Sequence, residues 1–189
     1  MCSTPEIFEK KLRFIEKYNP TKTVEAALSS SFDAALQRNP IYNKDASTFR
    51  RKEIKAFCSS ELLRISRKYI DVVTVKEYEN DILELQSLMN ERYHAYFDEN
   101  GFKISHSQKS LSVFLKIMWL IGKIKMPPLC PVDRTILIAA GEKNPDAWTS
   151  VNSMPEYRKH IRILKHAARN HKCPNLACWE IYHFKVEDK

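Results

Sequence analysis

At 189 residues the chain is long enough for one domain with a sizeable core, or for two small lobes sharing a core. Hydrophobic residues make up 43% of it, which excludes a disordered chain, and three glycines are too few for the turns of an all-β fold. The formal net charge of +8 points to a polyanionic partner drawn by long-range attraction, or to a merely soluble surface rich in lysine.

In chain order, Thr4-Pro5 has the character of an N-cap and first-turn pair. Ile7, Leu12, Ile15 and Tyr18 follow at helical spacing up to Asn19-Pro20. A second helix after Thr21 or Thr23 carries Val24, Ala27, Leu28, Phe32, Ala35 and Leu36 on one face, and Asn39-Pro40 ends it. Asp45 or Ser47 opens a third, apolar at Ile54, Phe57, Leu62 and Ile65, with a basic opposite face that includes Arg50, Arg51, Lys55 and Arg64. That face could track phosphates or simply be solvated. Residues 69–75 lean toward β structure and read as a connector. Thr74 and Glu77 then have capping-box spacing ahead of a helix with Tyr78, Ile82, Leu85, Met89, Tyr93 and Tyr96 on one stripe.

Residues 73–101 hold seven acidic side chains against two basic, and 102–134 hold six basic against one acidic. Such segregation suits a molecule with one side turned to a polyanion. The stretch 102–141 is the centre of the sequence. A polar, hairpin-like turn over Lys103–Gln108 leads into a helix that is apolar nearly all round from Leu111 to Ile121, the character of a central buried helix. Lys109, Lys116 and Lys123 interrupt it, which argues against a membrane span. Prolines at 127, 128 and 131 stiffen the exit, and Asp133 opens a short helix through Ile136, Leu137 and Ala140. Ser153 and Glu156 make a further capping box, followed by a helix with Tyr157, Ile161, Leu164 and Ala168 inside and Arg158, Lys159, Arg162, Lys165 and Arg169 outside. Pro174 precedes a last helix, Leu176 to Phe184.

Several kinds of site are excluded. With glycines only at 101, 122 and 141, no phosphate-cradling loop or dinucleotide fingerprint can be written, and no cofactor is expected. His171, Cys173, Cys178 and His183 are ligand types at spacings that match no zinc module, so no metal is expected. Five cysteines is an odd count, and the opening MCSTPEIFEKK has no basic flank ahead of an apolar run. Reduced thiols and a cytoplasmic chain, nucleoid-associated if bacterial, are the expectation.

The segments SHSQKSLSVFLK and PVDRTIL, set in an otherwise helical chain, resemble the helix-hairpin-helix DNA glycosylases, the superfamily of endonuclease III and the oxoguanine glycosylases. The resemblance covers about 40 of the 189 residues. There the family has a hairpin, a helix whose first turn holds a catalytic lysine in the bifunctional members, and a Val-Asp segment whose aspartate caps the next helix. It departs in having no glycine in residues 103–108, a 24-residue separation between Lys109 and Asp133, and no four-cysteine cluster.

The resemblance implies an all-α, helix-hairpin-helix glycosylase-like domain over 1–189, or two lobes of about 1–101 and 102–189 on one core. It implies hydrolysis of the N-glycosidic bond of a flipped base, with Lys109 and Asp133 as the reacting pair. Ser105, His106, Ser107, Gln108 and Arg134 would lie at the DNA edge, and Trp148 would wall the base pocket. Nucleic acid, DNA rather than RNA, is the implied partner. The competing reading is a non-catalytic basic helical protein that binds nucleic acid or acts as an adaptor on the same scaffold. Each residue also has a plainer account: Asp133 as an N-cap, Lys109 as a solvated first-turn lysine, His106 as a surface turn residue, and Cys130 as buried filler.

Overall fold

The computed structural model of the protein describes residues 5–37, 39–173 and 175–184. The eight α-helices among them are α1 (Pro5–Tyr18), α2 (Val24–Leu36), α3 (Thr48–Ser66), α4 (Val75–Tyr93), α5 (Ile104–Leu120), α6 (Arg134–Ala139), α7 (Met154–Asn170) and α8 (Leu176–His183). Short 3-10 turns cover Arg67–Ile70, His94–Tyr96 and Trp148–Ser150. The described residues form no strand, only an isolated bridge between Tyr42 and Phe97. The chain is all-helical, and no helix of the described residues is long and apolar enough to cross a membrane.

The helix starts follow local chemistry. Thr23 and Ser47, rather than Thr21 and Asp45, accept the cap hydrogen bonds, from the N–H groups of Ala26 and Arg50 at 3.2 Å each. Thr74 with Glu77 and Ser153 with Glu156 close reciprocal capping boxes. The Thr4 cap expected for α1 lies outside the described residues. The 69–75 connector is a 3-10 turn running into extended chain, tied down by the Tyr69 hydroxyl, which donates to Asp81 Oδ2 at 2.8 Å.

α5 is the axis of the fold. Every residue from Ile104 to Met118 is buried, and α2 lies along it more extensively than any other helix. Small residues allow that approach: Ala27, Ser31 and Ala35 form a fully buried stripe on α2 at four-residue spacing. α4 packs on another side, where Tyr78 Oη and Ser112 Oγ are 2.5 Å apart. One buried apolar cluster draws on all eight helices, from Ile7 to Ile181.

The entry to α5 differs from the hairpin expected of Lys103–Gln108. The helix begins at Ile104, so Ser105, His106, Ser107 and Gln108 form its first turn. The true turn lies earlier, at Gly101, with φ of +63°. A Cβ there would stand 2.6 Å from Asn90 Oδ1, the atom that receives the Phe102 N–H, so only glycine fits.

Candidate functional site

Three residues picked out for chemistry meet beside α5. Lys109 Nζ donates to Asp133 Oδ2 at 2.5 Å, and the same ammonium lies 5.7 Å from the ring centroid of Trp148. The pair is partly open, with side chains 11% and 18% exposed, and Trp148 is half-buried.

Asp133 does two jobs. Its Oδ1 accepts the Ile136 N–H at 2.9 Å, capping α6, while Oδ2 faces Lys109. Burial alone would raise the carboxyl's pKa. The Lys109 charge and hydrogen bond, with the Ile136 N–H, more than offset this and hold it below the ordinary aspartate value. At neutral pH it is an anion with a fixed direction.

Gln108 sets the register of the pair. Its Nε2 donates to the Val132 carbonyl at 2.9 Å, and its Oε1 accepts the Val132 N–H at 3.2 Å. One buried amide thus clamps the backbone immediately before Asp133, just as Lys109 follows Gln108 on the helix.

The DNA-edge role expected for Ser105, His106, Ser107 and Gln108 is corrected by their burial, none being more than 2% exposed. Their polar atoms are spent inside the protein. Ser105 Oγ donates to the Thr149 carbonyl at 3.1 Å, and Ser107 Oγ to the Ile82 carbonyl at 2.5 Å. His106 Nδ1 accepts the Lys103 N–H and its Nε2 bonds the Asn39 carbonyl, each at 3.1 Å, which fixes the Nε2–H tautomer. Burial pushes its pKa down to about 4. At the start of α5 the Ser105 N–H is also taken up inside the protein, donating to the Val151 carbonyl at 2.9 Å. Arg134 alone of the expected DNA-edge residues is exposed.

The Trp148 turn is pinned from below. The Thr149 carbonyl accepts from Lys103 Nζ at 2.8 Å as well as from Ser105. Asn39 joins the two donors, its Oδ1 accepting from Lys103 at 3.0 Å and its Nδ2 donating to Ser105 Oγ at 3.3 Å. Sequence reasoning passed over Lys103 and read Asn39 only as a helix stop. Partners 64 and 66 residues apart carry no local signal.

The basic faces are partly neutralised. On α3, Arg50 pairs with Glu53, Lys55 with Asp33 and Arg64 with both Glu61 and Glu84. On α7, Arg158 pairs with Glu79 and Lys159 with Asp146, which leaves Arg162, Lys165 and Arg169 without an ion pair among the described residues.

Elsewhere, Cys130 is fully buried, and burial raises its thiol well above the ordinary value, so it is no nucleophile. Cys58 and Cys173 are also free thiols. His171 Nδ1 accepts the Trp179 Nε1–H and lies 3.0 Å from His183 Nε2, yet no group of three His, Cys, Asp or Glu among the described residues could hold a metal. Cavities of about 420 and 410 Å³ lie where α1 meets α8, sharing Tyr182 and His183, and neither is lined by Lys109 or Asp133. They bring together no acid and base held as closely as the Lys109–Asp133 pair. No family model, no curated protein and no solved structure matches the chain.

Proposed function

We propose that the protein is a glycosylase-like enzyme that hydrolyses the N-glycosidic bond of a base extruded from DNA, on a helix-hairpin-helix-type scaffold whose hairpin has been absorbed into α5. One observation carries this reading: an ionised, directionally fixed Asp133 beside the Lys109 ammonium, with an aromatic face at Trp148. Breaking the bond between base and sugar develops positive charge at C1′. A carboxylate in a partly buried site stabilises that charge, or takes a proton from the attacking water, more effectively than in bulk solvent. The base leaves with the bonding pair, and Trp148 offers a surface on which it can stack.

Lys109 donates to Asp133 in the resting state, which suits orientation of the carboxylate. Attack by its amine on C1′ would first require loss of that proton. Hydrolysis is therefore the primary reaction, and a Schiff base is the secondary one.

Purified wild type and Asp133→Asn are compared on damaged, uracil-containing and otherwise modified DNA, with released bases read by mass spectrometry. Release falling at least about 100-fold in the variant, with DNA affinity retained, is the expected result. Lys109→Gln should abolish any adduct trapped by borohydride.

Closure of the Ser105–Gln108 turn favours a second reading, a nucleic-acid-binding or adaptor protein without a reaction. It expects silence across the base panel, with binding that weakens steeply with salt and is indifferent to Asp133→Asn.

A further inference from the structure

Among the described residues Lys103 is an ammonium without an ion pair, although it is partly buried and burial pulls its pKa below the ordinary lysine value. A lysine that serves only solubility would turn outward, where water solvates it at no cost. Instead its charge is aimed at the Asn39 side-chain oxygen and at the carbonyl of Thr149, the residue next to Trp148. Ser105 places a second donor on that carbonyl, and the Ser105 N–H takes the Val151 carbonyl two residues further on. Three bonds from the start of α5 thus hold the 3-10 turn Trp148–Ser150, and Asn39 holds two of the donors. Lys109, whose ammonium faces the indole, projects from the same helix less than two turns beyond Lys103.

We propose that Lys103 is a positioning residue of the candidate site: through the Thr149 carbonyl it fixes the indole of Trp148 against Lys109 and so sets where a planar substrate ring can stack. The inference rests on reading Lys109, Asp133 and Trp148 as one site. Lys103 itself touches no reacting atom, and its effect falls on substrate placement while the charge at Asp133 is left as it is.

The experiment is carried out on the full chain with Lys103→Met, Ser105→Ala, Lys103→Arg and Trp148→Ala. The first readout is the indole N–H resonance of Trp148, assigned by Trp148→Phe, with the resonances of Trp119 and Trp179 as controls for an intact fold. Lys103→Met and, to a smaller extent, Ser105→Ala move the Trp148 signal while the other two stay in place. Lys103→Arg, which keeps donors for both oxygens, brings it back. The second readout is base release: Lys103→Met raises KM about tenfold, the size of a lost base–aromatic stack, with kcat within about threefold of wild type. In a Trp148→Ala background the same substitution adds nothing. A Trp148 signal unmoved by Lys103→Met overturns the proposal, as does a KM penalty undiminished when Trp148 is gone. If the wild type releases no base, the proposed function fails, and the indole signal alone decides the role of Lys103.

Discussion

α5 carries two lysine–carboxylate pairs, and they are built to opposite ends. Lys109 and Lys116 are seven residues apart, two helical turns or about 10 Å along one face. Lys116 Nζ meets Glu180 Oε1 at 2.8 Å with both side chains at most 5% exposed, and its ammonium lies 4.1 Å and 4.7 Å from the ring centroids of Phe14 and Phe184. The second oxygen of Glu180 has no hydrogen-bond partner in this sealed environment. Burial, the largest influence, pushes the Glu180 carboxyl above its ordinary pKa against the pull of Lys116. Asp133, in the half-open pair, is held below its ordinary value and has both oxygens engaged. Both pairs join a lysine to a carboxylate, yet only the one beside Trp148 presents a fixed anion where a substrate could meet it. The other joins α8 to α5 from within, and a buried pair of this kind constrains geometry more than it stabilises.

The sharpest way to break that comparison is to remove one member of the sealed pair. Lys116→Met leaves Glu180 buried and unpaired, and the fold should lose about 3–5 kcal/mol in urea denaturation. Lys116→Met combined with Glu180→Leu removes both charges and should return close to wild-type stability. A single variant as stable as the double would show that Glu180 is not confined as described.

Acid gives the next largest effect, and it comes from neither pair. His106 has a folded pKa of about 4 against an unfolded value near 6.5, because burial excludes its charged form and its Nδ1 is committed to accepting from Lys103 N–H. A depressed pKa contributes stability that is complete above the unfolded value and is lost as pH falls through the folded one. Unfolding free energy should therefore decline between about pH 6.5 and pH 4 by up to about 3 kcal/mol. The two carboxylates have opposite signs in the same titration. The contribution of Asp133 is present above its unfolded pKa and disappears as pH falls through a still lower folded value, whereas Glu180 favours the fold in acid and loses that favour as pH rises through its raised pKa. Urea melts of wild type and His106→Gln across this range test the assignment, and an unchanged slope in the variant would remove His106 from the account.

The helix starts were legible because their signals are local. Thr74 with Glu77, Ser153 with Glu156 and Asp133 ahead of Ile136 each satisfy backbone donors within three residues. The first turn of α5 was misread because Ser-His-Ser-Gln has the composition of an exposed turn. Short hydroxyl side chains can be buried when a carbonyl lies within reach, and the carbonyls of Ile82 and Thr149 come from other helices and turns. The Lys109–Asp133 pairing came into view only through a resemblance to known motifs, since spacing alone does not bring two residues 24 apart together. Glu180 gave no sign at all: in a short helix with Trp179 and Tyr182, one acidic residue reads as solvated until α5 is seen to place Lys116 against it.

The smallest effect separates the two jobs of Asp133. Asparagine should keep the Oδ1 cap of α6, because Asn and Asp are nearly equivalent N-caps, so Asp133→Asn should lose only what the charge facing Lys109 contributes. Asp133→Ala removes the cap as well and should cost at least about 1 kcal/mol. Base release should not follow that order, since both variants lack the carboxylate and both should be silent. Stability that distinguishes Asn from Ala while activity does not would locate the chemistry in the charge on Oδ2 and the folding role in Oδ1. Equal destabilisation by both would mean that the ion pair with Lys109, rather than the cap, holds α6 in place, and the half-open pair would then be as structural as the sealed one.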